Sequence, residues 1–156
     1  MNATYLSFHI GNEVYAVKTD NVLEVLQHQT ITPIPNSPEY IKGIVNFRGE
    51  GIIVFDTHKQ FNLDSPLDYK KAFIIIMDLH IDNEVIKAGA AVDKVENVLT
   101  IDTSEIQPVP PIQKQLNIEF IDGVVNYNGE FLLLLNMERV FSHDQAEYIK
   151  EQNSNN

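Results

Sequence analysis

In Asp78-Leu79-His80-Ile81-Asp82, two carboxylates and an imidazole recur at every second residue. On a strand they would share one face and could hold a divalent ion. The polar face of an exposed hairpin carries the same pattern. The remaining histidines, His9, His28, His58 and His143, lie too far apart in sequence to define a ligand spacing. Asp56, Asp68, Asp93, Asp102 and Glu105 are equally dispersed, with no carboxylate pair whose spacing enforces general acid and base roles. G-x-S-x-G, the Walker-type phosphate loop and H-E-x-x-H are absent, and Gly49-Glu50-Gly51 lacks the third glycine and the following helix of a dinucleotide loop. The chain has no cysteine, which removes thiolate metal sites, thiol nucleophiles and disulfides. The residue chemistry therefore points away from an enzyme, and no cofactor or metal is expected.

A different signal comes from repetition. YIKGIVNFRGEGIIVF, residues 40–55, returns as FIDGVVNYNGEFLLLL, residues 120–135. Extended to 39–61 and 119–141, the two segments align without a gap at a constant offset of 80 residues. Glu39, Ile41, Gly43, Val45, Asn46, Gly49, Glu50 and Phe61 each meet an identical residue. A duplicated scaffold explains this better than the general likeness of apolar hairpins. The copies differ at the turn, where Arg48 in the first stands against Asn128 in the second. Asn-Gly is an ordinary turn choice. An arginine there is either a solvated turn residue or an interface anchor, since guanidinium makes several hydrogen bonds and stacks.

Short strands must carry these residues. Leu6, Phe8 and Ile10 alternate with polar positions before Gly11-Asn12-Glu13, so Tyr5–Ile10 and Val14–Val17 read as a hairpin. Thr19 or Asp20 could cap a short helix over Val22, Val25 and Leu26. Pro33, Pro35 and Pro38 then give a rigid connector. Ile41–Phe47 pairs with Ile52–Phe55, and 72–79 pairs with 85–92 around Asp82-Asn83. A second proline-rich stretch, DTSEIQPVPPIQ, precedes the second copy, and Ser142 with Gln145 forms a capping box for a C-terminal helix. Residues 150–156 are expected to trail off as a flexible tail. Two sets of short strands suggest two small β-barrels side by side, with Gly43 and Gly123 at sharp bends or close backbone approaches.

Length and charge agree with this picture. A chain of 156 residues can bury roughly 68–70% of the surface its unfolded form exposes, enough for one core or two adjoining ones. A net charge of −11 with scattered basic residues argues against nucleic acid as a partner. AFIIIM and FLLLL, the longest apolar runs, are too short to span a bilayer. No leader pattern opens the chain, so a cytoplasmic location without membrane insertion is expected.

The order and spacing of several pieces carry a resemblance. They are Asn21-Val22-Leu23-Glu24-Val25 before the proline connector, PEYIKGIVNFRG with Asp56 downstream, GAAVDKV at Gly89–Val95, IQPVP, FIDGVVNYNG and LLLLNMERVF. Together they resemble the CheW family of chemotaxis coupling proteins from about Tyr5 to Tyr148, with the family's KG-x-x-N-[LF]-RG block present as Lys42 to Gly49. The resemblance implies a mainly β fold of two SH3-like five-stranded barrels with short helices, one of them C-terminal. A single CheW-like domain would span 1–149, with half-barrels near 1–66 and 67–149 and room for strand exchange between them. It further implies a non-catalytic adaptor that binds the regulatory domain of the histidine kinase CheA, a paralogue of the adaptor, and the cytoplasmic tip of chemoreceptors.

On the same grounds the receptor-binding residues are Arg48, flanked by Asn46 and Gly43, together with Val22 and Glu24. Such an adaptor would be cytoplasmic and recruited to membrane-associated receptor arrays. Phe47, Gly51, Ile53 and His58 depart from the commoner family residues, His58 standing at the place of a frequent arginine. These departures either tune the choice of partner or repack a turn. Two other readings stay open: the same module in a twitching or surface-sensing pathway, and a metal- or small-molecule-binding barrel using Asp78, His80 and Asp82.

Overall fold

The computed structural model describes residues 1–109 and 120–154. Ten strands run in chain order: β1 (Asn2–Ile10), β2 (Glu13–Lys18), β3 (Val22–Gln27), β4 (Ile41–Phe47), β5 (Glu50–Asp56), β6 (Phe73–Ile81), β7 (Glu84–Val92), β8 (Lys94–Asp102), β9 (Ile121–Tyr127) and β10 (Glu130–Leu135). A single-turn helix, α1 (Thr57–Gln60), follows β5, and α2 (His143–Ser154) closes the chain.

The strands form two five-stranded sheets, ordered β3-β6-β7-β5-β4 and β8-β1-β2-β10-β9. Position by position the two orders are equivalent, which is the duplication seen in the sequence. Each sheet closes through a short bridge, Thr32 with Ile44 in one and Gln107 with Val124 in the other. We call these the first and second barrels.

The barrels do not coincide with 1–66 and 67–149. Each takes one hairpin from the other half of the chain: β6–β7 completes the first barrel and β1–β2 the second. The joins are the parallel pairings β5–β7 and β10–β2. The chain consequently passes between barrels twice, through the turn at Thr19–Asn21 and through the single residue Asp93.

Alternation along the strands sends side chains to three cores. Val45, Phe47, Ile52, Val54, Ile74 and Ile76 fill the first barrel. Tyr5, Leu99, Ile101, Val125, Leu132 and Leu134 fill the second. The largest cluster lies between the barrels and includes Phe8, Tyr15, Phe55, Ile75, Leu79 and Leu135. Ile74 and Ile75 thus face different cores, which is why AFIIIM is apolar without a break. Each fully buried Ile or Phe of this kind contributes about 1.5–3 kcal/mol.

Two expected elements differ. The segment read as a helix after Thr19 is a 3-10 turn at Thr19–Asn21 followed by strand β3. A register shift between Val22 and Glu24 explains the misreading. The extra residue brings Val22 and Val25, three apart, into the same inter-barrel core, so a bulged strand imitates helical spacing. The tail expected from residue 150 is instead the end of α2, which reaches Ser154. Ala146 and Ile149 are buried between the barrels, and Lys150 faces Asp82, Glu84 and Glu147, so the helix is held beyond residue 149. Its start is as expected: Ser142 Oγ accepts from the Gln145 amide, and Gln145 Oε1 accepts from the Ser142 amide. Part of the second proline-rich stretch, at 110–113, lies outside the described residues.

Candidate docking surface

The turn between β4 and β5 holds its two central residues, Arg48 and Gly49, at φ 52° and 86°. Two positive φ values in a two-residue loop match the twist of a hairpin and favour Asn-Gly. Asn46 secures the turn, its Oδ1 accepting from the Gly49 amide at 3.0 Å. The second copy repeats this geometry: Asn128 and Gly129 at φ 54° and 86°, and Asn126 accepting from the Gly129 amide at 3.1 Å. Arg48 therefore occupies a left-handed position that suits asparagine, at a cost of about 1 kcal/mol.

The Arg48 side chain is 72% exposed. Its Cζ lies 4.8 Å from the centre of the Phe47 ring. Its Nη2 is 3.2 Å from Glu24 Oε1 on β3, so two of the residues named from sequence form an ion pair across the barrel. Such an exposed pair is worth about 0–1 kcal/mol and orients the guanidinium more than it stabilises the fold. Among the described residues the guanidinium makes no other hydrogen bond.

Gly43 plays a different part. A Cβ there would stand 2.2 Å from the carbonyl oxygen of Thr32. Its absence lets Thr32 and Ile44 exchange backbone hydrogen bonds of 2.9 and 2.8 Å that close the first barrel. Gly123 is the counterpart, its missing Cβ lying 2.8 Å from the Gln107 oxygen. Val22 is half-buried against the inter-barrel core and pairs with Met77. The structure thus joins Arg48, Asn46 and Glu24 at one surface, with Gly43 and Val22 supporting the strands beneath it.

Three of the departures point inward. Phe47 and Ile53 are buried in the barrel and inter-barrel cores, and His58 is on the buried face of α1, where it contacts Asp93. They belong to the interior, while Gly51 alone of the four is exposed. The Asp78, His80, Asp82 row does not converge on a site. Asp82 lies in the β6–β7 turn within 3.5 Å of Lys150 Nζ, and His80 is exposed. Among the described residues no group of three His, Asp or Glu side chains is placed to share a metal.

Sequence reasoning missed a second exposed surface. Around the β9–β10 turn, Phe131 is 64% exposed and Tyr127 is 37% exposed, and both line a groove with Val14, Leu99 and Glu96. The repeat alignment held the signal: Phe131 stands where the first copy has Gly51.

Two five-stranded barrels of equivalent strand order, sharing a core and bearing differentiated hairpins, match a known arrangement. Residues 4–145 match the CheW-like domain. The chain belongs to the CheW-like family. The crystal structure of the scaffolding protein TtCheW from Thermoanaerobacter tengcongensis superposes with a TM-score of 0.80 at 30% identity, over 93% of this chain and 96% of that one. Chemotaxis protein CheW of Treponema pallidum is 29% identical over 91% of this chain and 84% of its own length. Protein FrzA of Myxococcus xanthus is 28% identical over 87% and 83%. CheW-like proteins are non-catalytic scaffolds of chemotaxis, and this chain is an adaptor of that kind, not an enzyme. No helix among the described residues is long and apolar enough to cross a membrane.

Proposed function

We propose that this adaptor couples chemoreceptors to the histidine kinase CheA, docking the cytoplasmic tip of the receptor at the β4–β5 hairpin of the first barrel. The observation that carries the reading is Arg48: an exposed guanidinium kept at a backbone position that favours asparagine. Among the described residues its side chain meets only Glu24 and the Phe47 ring. Asn46 fixes the turn, Glu24 aims the guanidinium, and Gly43 and Val22 hold β4 and β3 in place under the contact. Few residues dominate the energy of such interfaces, and arginine is prominent among them.

The regulatory domain of CheA docks on the other barrel, at the groove beside Tyr127 and Phe131. Exposed aromatic side chains with a polar rim have the composition of an interface core. An adaptor with one contact on each barrel can bridge two partners at once. It works in the cytoplasm and gathers at membrane-associated receptor arrays through those contacts, without inserting into lipid.

The test is calorimetry with a receptor-tip fragment and the isolated regulatory domain, each titrated into wild type, Arg48→Ala and Phe131→Ser. The reading requires Arg48→Ala to lose the receptor and keep the kinase domain, and Phe131→Ser to do the reverse. If both variants bind both partners like wild type, the assignment of the surfaces is wrong. The same module in a twitching or surface-sensing pathway would show the same split with a different cognate receptor, so a panel of receptor tips separates the two pathways.

A further inference from the structure

Asp93 is the single residue that carries the chain from β7 of the first barrel into β8 of the second. Its Oδ2 accepts from the Gly11 amide, in the β1–β2 turn of the second barrel, at 2.7 Å. The same oxygen lies 2.6 Å from Nε2 of His58, on α1 of the first barrel. His58 Nδ1 lies 2.7 Å from the carbonyl oxygen of Ser65. The His58 side chain is only 4% exposed.

Both ring nitrogens therefore face oxygens that can only accept. A neutral imidazole has one N–H and would leave one of these contacts without a proton. A proton on Asp93 Oδ2 would compete with the Gly11 amide for the same oxygen. With a proton on each ring nitrogen, all three contacts are satisfied. We infer that His58 is a protonation-dependent latch between the barrels, which as an imidazolium ties α1 of the first to the Asp93 crossover and thereby to the β1–β2 turn of the second.

The charged groups facing the ring are both carboxylates: Asp93 from the crossover and Asp56 at the start of α1. Asp56 is itself held by the Tyr69 hydroxyl at 2.7 Å and the Lys59 amide at 3.1 Å. Burial together with the Asp56 carboxylate pushes the Tyr69 hydroxyl far above its usual range, so it stays a neutral donor. The β1–β2 turn contributes only the Gly11 N–H. Burial opposes the imidazolium, but the hydrogen bonds to Asp93 and Ser65 and the fields of both carboxylates outweigh it, holding His58 above its ordinary value.

The sign of the pH effect follows. With the folded value above the unfolded one, the latch contributes fully below about pH 6.5 and is lost as pH rises through the raised value. The folding equilibrium constant should fall by up to about tenfold for each pH unit separating the two values. The inference does not depend on the partner assignments above.

It is tested on the intact chain by recording ring ¹⁵N resonances of His58 through a pH titration and by denaturant unfolding from pH 5.5 to 9 of wild type, His58→Arg and His58→Gln. At pH 6 both ring nitrogens should have the protonated signature, and it should disappear above the ordinary histidine range. Wild-type stability should fall across that window, and Gly11 amide protection with it, while neither substituted protein shows this decline. A neutral ring at pH 6, or a decline in His58→Gln as steep as in wild type, overturns the latch. Should the substitutions prevent folding, the wild-type ring titration decides alone.

Discussion

The β4–β5 and β9–β10 hairpins share a backbone and differ in what they show to solvent. Both turns have the same pair of positive φ values, and both are secured by an asparagine two residues earlier. In the first, Phe47 is buried, Gly51 offers no side chain, and Arg48 stands out beside Glu24. In the second, Tyr127 and Phe131 are exposed and Asn128 leaves the turn without a charge. Duplication supplied the frame, and divergence at a few positions per turn left one copy with an exposed charge and the other with exposed aromatic rings. The difference teaches that the turn geometry and the exposed side chains are specified by separate residues.

The largest effects should fall on what the hairpins share. Gly43→Ala forces a Cβ into the Thr32 carbonyl and should cost about 3 kcal/mol or more, read from denaturant midpoints. Gly123→Ala meets a backbone oxygen at longer range and should cost somewhat less. If either substitution were neutral, barrel closure would not depend on these close approaches.

Next come the residues that differ. Arg48→Ala and Phe131→Ser should each change stability by less than about 0.5 kcal/mol, yet each should weaken one partner by about 2 kcal/mol. A large stability loss with unchanged binding would place either residue in the fold and not in an interface. Asn46→Ala and Asn126→Ala remove equivalent acceptors and should cost about 1 kcal/mol alike, so unequal losses would break the equivalence of the turns. The smallest effect sharpens the comparison most: Arg48→Asn should raise stability by up to about 1 kcal/mol, and Asn128→Arg should lower it by a similar amount.

Much of this was legible in the sequence because strands of a half-buried barrel alternate. Leu6, Phe8 and Ile10 do share a core, and the repeat around Gly43 and Gly123 did mark close backbone approaches. The bulge in β3 hid a strand behind a helical spacing. The resemblance left room for strand exchange, but which hairpins are exchanged was not legible: the β5–β7 and β10–β2 pairings join segments whose local pattern is identical whichever barrel they enter. Arg48 and Glu24 were each named from the family resemblance, but an ion pair between residues 24 apart has no local signature. For His58 the choice between tuning a partner and repacking a turn stayed open because α1 is a single turn, too short for its buried face to show as a period.

The central claim is that receptor docking follows the arginine in the first hairpin and not the hairpin scaffold as such. It is tested most directly by calorimetric titration of a receptor-tip fragment into the double variant Arg48→Asn, Asn128→Arg, which keeps composition, charge and both turns. The account predicts that receptor affinity is lost and that the kinase regulatory domain is still bound. Receptor binding at wild-type strength in that variant would contradict it.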